Sequence, residues 1–362
     1  MSTETNGSTR RRLATMLLGG AVAVAGCASG ATPAAAHHGA GRPSGSASPA
    51  FVPTDAVPFA GTLLIADRGN NRLLQVTVGK RVLWVFPSHS AAAPAGGFYF
   101  PDDAFFIRQA TGLISNEEEN NTIVELGFPS GRVLWSYGHP RVAGRAPGYL
   151  NQPDDAFLLA DGDVIVADAL NCRILWIDPS GHPVRQVGNG SCVHDPPTSL
   201  GYPNGDTPLA DGDILVSEII GSWVTDLTPQ GALRWTVHLP IAYPSDPQQI
   251  GPDRYLIADY AKPGAILEFN REGQILWTYR PVAGHGMLNH PSLAEMLPGG
   301  FIAANDDYRD RVVIIDPRTM TIVWQYGIDD HPGAGPGLLH TPDGFDLLAP
   351  DNRTAPTHPW TG

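Results

Sequence analysis

The chain has 362 residues, 41 of them glycine and 34 proline, with 42% hydrophobic residues and a formal net charge of -13. An acidic balance of this size argues against nucleic acid and against an anionic lipid surface as partners, and leaves cationic or neutral small ligands open. The abundance of turn formers, with only 16% charged residues, excludes a long-helix or coiled-coil protein and fits many short strands.

In chain order the first expected element is an address. Thr9-Arg10-Arg11-Arg12-Leu13 resembles a twin-arginine export signal, followed by a short apolar core from Met16 to Gly26. Val24-Ala25-Gly26-Cys27 resembles a bacterial lipobox and implies a lipid on Cys27; cleavage after Ala34-Ala35-Ala36 is the alternative. Residues 1–26 are therefore expected to be removed, and residues 27–54, rich in Ala, Gly, Ser and Pro, to form a tether. Removing residues 1–26 takes away three arginines and one glutamate, so the remainder carries a net -15.

From residue 55 to 350 one unit recurs. A proline and a small polar residue open each copy, at Pro101-Asp102, Pro153-Asp154, Pro203-Asn204, Pro244-Ser245, Pro291-Ser292 and Pro342-Asp343. A period of this length signals a repeat architecture. In the clearest copy, Asp155–Ala160, Val164–Asp168, Arg173–Asp178 and Val184–Val187 are four short apolar or alternating runs. They are separated by Asp161-Gly162-Asp163, Ala169-Leu170-Asn171 and Pro179-Ser180-Gly181. This is strand and hairpin patterning with no helical period. Second strands are expected to end at Asp67, Asn116, Asp168, Glu218, Asp259 and Asn305. Fourth strands carry Trp84, Trp135, Trp235, Trp277 and Trp324, expected to dock between units.

Six four-stranded units predict an all-β, six-bladed β-propeller. The first copy lacks its first strand, and the missing piece stands at the other end as Phe345-Asp-Leu-Leu348. Closure by that C-terminal strand is expected to leave no free edge. Residues 351–362 are a tail. Ile65-Ala-Asp-Arg-Gly-Asn-Asn-Arg72 and Val166-Ala-Asp-Ala-Leu-Asn-Cys-Arg173 resemble NHL repeats, and the Leu-Trp strand endings resemble quinoprotein-type repeats. That resemblance implies the scaffold; such propellers include binding modules, lactonases, lyases and sulfotransferases.

Cys172 and Cys192 are an even pair in a chain expected to be exported, which reads as a disulfide. The residues after the repeat prolines, with Asp102, Asp154 and Asp343 as carboxylates, have two readings. They are ligands for Ca²⁺ or a similar cation, joined by Asp103, Asp155 and Asp246 at the next position; or they are turn caps needed by every blade. The second-strand carboxylates with Arg72, Arg173 and Arg311 read as repeated loop-stabilising bonds. Histidines break the repeat. His290, beside Asn289, and His340 are expected at matched positions on adjacent blades and are the candidate catalytic residues; resemblance to arylsulfotransferases would make either a nucleophile. The function expected is an exported, lipid-tethered propeller binding a small ligand at the channel mouth. The alternative is an extracytoplasmic enzyme of arylsulfotransferase or metal-dependent lactonase type. No local motif for phosphate binding, serine hydrolysis, zinc proteolysis or haem attachment is present.

Overall fold

The computed structural model describes residues 57–351 and 354–355. The expectations for the export signal, for Cys27 and for the tether fall outside the described residues. Six antiparallel sheets follow one another along the chain. Blades 2 to 6 each run from inside to outside in sequence order, beginning with Pro101–Ile107, Pro153–Leu158, Pro203–Pro208, Pro244–Gly251 and Ala294–Met296. Blade 1 takes Thr62–Asp67, Arg72–Thr77 and Val82–Phe86 from the N-terminal side and Phe345–Leu348 from the far end, with the short strand Thr354–Ala355 pairing on the inner side of Phe345–Leu348. The register is Thr62↔Leu348, Leu63↔Leu347, Leu64↔Asp346 and Ile65↔Phe345, so the sequence expectation of ring closure holds.

Alternating apolar residues fill the spaces between sheets. Phe105 of blade 2 stacks on Phe157 of blade 3 at 4.6 Å between ring centres. At the closure, Trp324 of blade 6 meets Phe59 edge-on at 5.2 Å and donates its indole N–H to the Val78 carbonyl at 2.7 Å. Trp84 likewise donates to Pro129 of the next blade, and Trp235 packs on Tyr255. These tryptophans dock between blades, as their repetition implied. Blade 3 lacks one, and there Arg185 lies over the Trp176 ring at 5.3 Å.

Cys172 and Cys192 are bonded, with Cα atoms 5.3 Å apart. Cys172 adopts a left-handed conformation (φ 49°) closing the turn Ala169–Asn171, and Cys192 lies in the segment leading to blade 4. The bridge pins that segment to blade 3, with a loop-closure contribution of about 3 kcal/mol.

Among the described residues no helix is long and apolar enough to cross a membrane.

Candidate functional site

One end of each blade is built the same way six times. A carboxylate ends every second strand and accepts a backbone N–H from the segment that leads into an inner strand. The pairs are Asp67 with His340 (2.8 Å), Glu117 with Tyr99 (2.6 Å), Asp168 with Asn151 (2.8 Å), Glu218 with Gly201 (2.5 Å), Asp259 with Ala242 (3.0 Å) and Asp306 with Asn289 (2.6 Å). Each donor stands two residues before its repeat proline. Arg72, Arg173 and Arg311 pair with Asp67, Asp168 and Asp306. These are scaffold bonds, as the repeat suggested, but the register corrects two positions. In blades 2 and 6 the strand ends one residue later, at Glu117 and Asp306 rather than Asn116 and Asn305. Asn116 and Asn305 instead donate across to the Pro153 and Pro342 carbonyls of the next blade, at 3.1 and 3.3 Å.

Burial pushes Glu117 up to about 7, although Tyr99 N–H, Asn120 and Thr122 all donate to it. A carboxyl raised from 4.5 to about 7 on folding binds its proton more tightly in the native state. Its contribution is complete below about pH 4.5 and is lost as pH rises through 7, roughly 3 kcal/mol in all. Glu117→Gln is expected to flatten the pH dependence of unfolding free energy over that window. An unchanged slope in urea titrations at pH 4.5 and 7 would show that Glu117 does not carry it.

The same alignment corrects the histidines. His340 stands two residues before its proline and matches Asn289; His290 stands one residue before Pro291, so the two are not at matched positions. The His340 backbone serves the scaffold and its side chain is exposed, lying against Gly69. His290 donates its Nδ1–H to Asn289 Oδ1 at 2.7 Å and sits edge-on to Tyr260 and Tyr308, at 4.8 and 4.7 Å. Its positive φ of 61° is a scaffold feature too, shared at the same position by Phe100, Gln152, Tyr202 and Thr341. Phe100, Tyr202, Tyr243 and His290 place rings one residue before four of the six repeat prolines.

The residues after those prolines build something the repeat alone does not require. In blades 2, 3 and 5 a β-bulge interrupts the inner ladder, between Pro101 and Ala104, Pro153 and Ala156, and Ser245 and Gln248. Consecutive side chains on a regular strand point to opposite faces, whereas a bulge re-aims one of them. Both Asp102 and Asp103 therefore reach the axial cluster. Carboxylate oxygens of Asp102, Asp103 and Asp154 lie within 4.8 Å of one another, and so do those of Asp103, Asp155 and Asp246. All five are at most 3% exposed. Asp206, fully buried in blade 4, faces Asp154 and Asp103, and neither of its oxygens has a hydrogen-bond partner. One oxygen each of Asp155, Asp246 and Asn204 is buried in the same condition. Glu295 lies close to Asp346 and Asp103, again with neither oxygen bonded.

Glycine makes this crowding possible. A Cβ on Gly344 would lie 2.0 Å from Asp103 Oδ1, and one on Gly205 would lie 2.7 Å from Asp246 Oδ1. These two positions align with Asp103, Asp155 and Asp246 in the other blades, so blades 1 and 4 leave space where blades 2, 3 and 5 place carboxylates. Burial drives Asp155, Asp206 and Asp246 well above the usual carboxylate range, and neighbouring carboxylates push them further. Asp102 is raised by the same two causes and held back by Arg68. Arg68, 4% exposed, pairs with Asp102 at 3.1 Å, with Glu119 at 2.9 Å, and with Asp343 and Glu118. Of the residues expected from sequence, Asp102, Asp154 and Asp343 belong to this cluster; His340 and Asn289 hold scaffold bonds. Arg68, Asp206 and Glu295 were not anticipated.

A family model described as outer membrane protein assembly factor BamB matches residues 160–337. No curated protein matches the chain. A protein of unknown function from Bacteroides caccae is similar in structure, at 17% identity and a TM-score of 0.57, covering 79% of this chain and 98% of that one. Virginiamycin B lyase from Staphylococcus aureus aligns at 16% identity with a TM-score of 0.47, over 68% of this chain and 75% of that one. The first of these likenesses is one of fold. The chain is a six-bladed propeller, and its residues 160–337 are similar to the BamB model.

Proposed function

We propose that this propeller is an exported, lipid-tethered binding protein that holds a hard divalent cation of the Ca²⁺ kind in the axial carboxylate cluster and takes a small ligand at the channel mouth above it. The observation that carries the reading is Asp206, fully buried, unbonded at both oxygens and pressed against other carboxylates. An ionised carboxylate removed from water needs a compensating charge. Oxygen-only donors suit Ca²⁺, Mg²⁺ or Mn²⁺ rather than thiolate- or imidazole-seeking metals. Three points within 4.8 Å of one another can all be touched from a centre about 2.8 Å away or nearer, close to the roughly 2.3–2.6 Å of Ca–O bonds. Three carboxylates leave coordination positions for oxygens of a ligand. The rings of Phe100, Tyr202 and Tyr243, with the His290 imidazole, stand one residue before their repeat prolines and offer flat surfaces for a ligand. Export is supported by the Cys172–Cys192 bond and the twin-arginine-like start. Neither nucleic acid nor a bilayer, beyond an anchor at Cys27, belongs to this reading.

Isothermal titration of Ca²⁺ into chelator-treated protein tests it. Saturable binding is expected, weakened at least tenfold by Asp206→Asn and abolished by Gly344→Val, which fills the space beside Asp103. The native state gains about 2.7 kcal/mol when the ion is at a hundred times its Kd. No heat and no thermal shift with Ca²⁺, Mg²⁺ or Mn²⁺ would overturn the reading. Turnover of aryl sulfates or lactones that disappears in a His290→Ala, His340→Ala double variant would replace it with the enzymatic one.

A further inference from the structure

Two groups of carboxylates surround the axis, and they share one member. Asp102, Asp103 and Asp154 form the first, and Asp103, Asp155 and Asp246 form the second. We infer that the channel holds two divalent cations bridged by the Asp103 carboxylate. The inference rests on the cation reading above and adds the number of ions and the residue that joins them.

The backbone explains why there are two groups. In blades 2 and 3 the bulge presents two consecutive aspartates, Asp102-Asp103 and Asp154-Asp155, at the first and second positions after the proline. Blade 5 has Ser245 at the first position and adds its aspartate, Asp246, at the second. The first group draws two members from the first position and the second group draws all three from the second, so the groups are offset along the strands. An ion centred among Asp102, Asp103 and Asp154 leaves Asp155 and Asp246 to another. A carboxylate has two oxygens, and one on each ion is the usual way to hold two metals about 3.5–4 Å apart.

A second observation points to a ligand in the second group. Asp155 and Asp246 are 1% and 3% exposed, and Oδ1 of each is buried without a hydrogen-bond partner. Asp206 stands beside the cluster with both oxygens in that state. Gly205 leaves the space into which Asp246 Oδ1 projects, and Gly344 does the same for Asp103.

Native mass spectrometry and electron paramagnetic resonance of the full exported chain loaded with Mn²⁺ test the inference. Two ions are expected in the wild type, with an exchange-coupled spectrum. Asp155→Asn and Asp102→Asn should each retain one ion with the uncoupled six-line spectrum of isolated Mn²⁺. Asp103→Asn should lose the coupling and at least tenfold in affinity. Thermal melts confirm that each variant is folded, and Asp246→Asn gives the same readout should Asp155→Asn fail to fold. A single ion in the wild type, unaffected by Asp155→Asn, would overturn the two-ion inference and leave the cation reading standing. Two ions without coupling would overturn the bridge. No bound Mn²⁺ would sink both.

Discussion

Deletion of residues 340–362 abolishes cooperative unfolding, because it removes the inner strand of blade 1 and reopens the ring. Phe345–Leu348 pairs along Thr62–Ile65. The segment before it is tied on both sides: Asp343 N–H donates to the Ala66 carbonyl at 3.1 Å, and Gly344 N–H to the Asp102 carbonyl of blade 2 at 2.8 Å. Asp346 accepts the Phe106 N–H at 2.8 Å, so one side chain joins blades 1 and 2. Phe345 and Leu347 are buried, and truncating such side chains to alanine alone costs about 3–5 and 2–5 kcal/mol. Losing both, with the ladder bonds and the exposed edge of Leu63–Ala66, exceeds much of a net stability of about 5–15 kcal/mol. Calorimetry of the truncated chain should show no sharp transition. A cooperative melt at the wild-type temperature would refute closure by this strand.

Arg68→Met destabilises the protein by about 3–5 kcal/mol in chelator, the usual cost of removing one partner from a buried ionic cluster. The Arg68 guanidinium serves Asp102, Asp343, Glu118 and Glu119. The methionine keeps the apolar stem while removing the guanidinium, so the loss is mainly one of charge and hydrogen bonds. Added Ca²⁺ should recover part of the stability and bind more tightly than to the wild type, since a repelling positive charge has gone. Urea unfolding with and without Ca²⁺ measures both. A change below about 0.5 kcal/mol in chelator would mean that Arg68 contributes no more than an exposed surface pair.

The fold was legible because its signals are local and repeated. Proline opens each inner strand, Asp-Gly and Ser-Gly set the hairpins, and Trp84 or Trp135 at a fourth strand says the same thing each time. The cluster was legible only in part. Asp102, Asp154 and Asp343 follow the prolines, and Asp103, Asp155 and Asp246 follow those. What the letters do not carry is the bulge, which decides whether two adjacent aspartates diverge or converge. Blade 4 shows the consequence. Its irregularity falls between Pro203 and Gly205, one residue shorter than in blades 2 and 3, and Asp206 at the third position joins the cluster instead of the second. Arg68 was hidden for another reason. It follows a second-strand carboxylate, where the other blades place Glu118, Ala169, Ile219, Tyr260 and Asp307, and a departure from the repeat at that position was the available signal. The two histidines differ in register relative to their prolines, which proximity to a proline does not reveal. One residue separates a backbone donor to the scaffold, His340, from a ring among tyrosines, His290.

Anomalous diffraction from crystals soaked in Mn²⁺ tests the central claim most directly. Peaks are predicted on the propeller axis, each within about 2.8 Å of carboxylate oxygens, one among Asp102, Asp103 and Asp154 and one among Asp103, Asp155 and Asp246. An axis empty of anomalous signal at saturating Mn²⁺, with these carboxylates unmoved, would contradict the account.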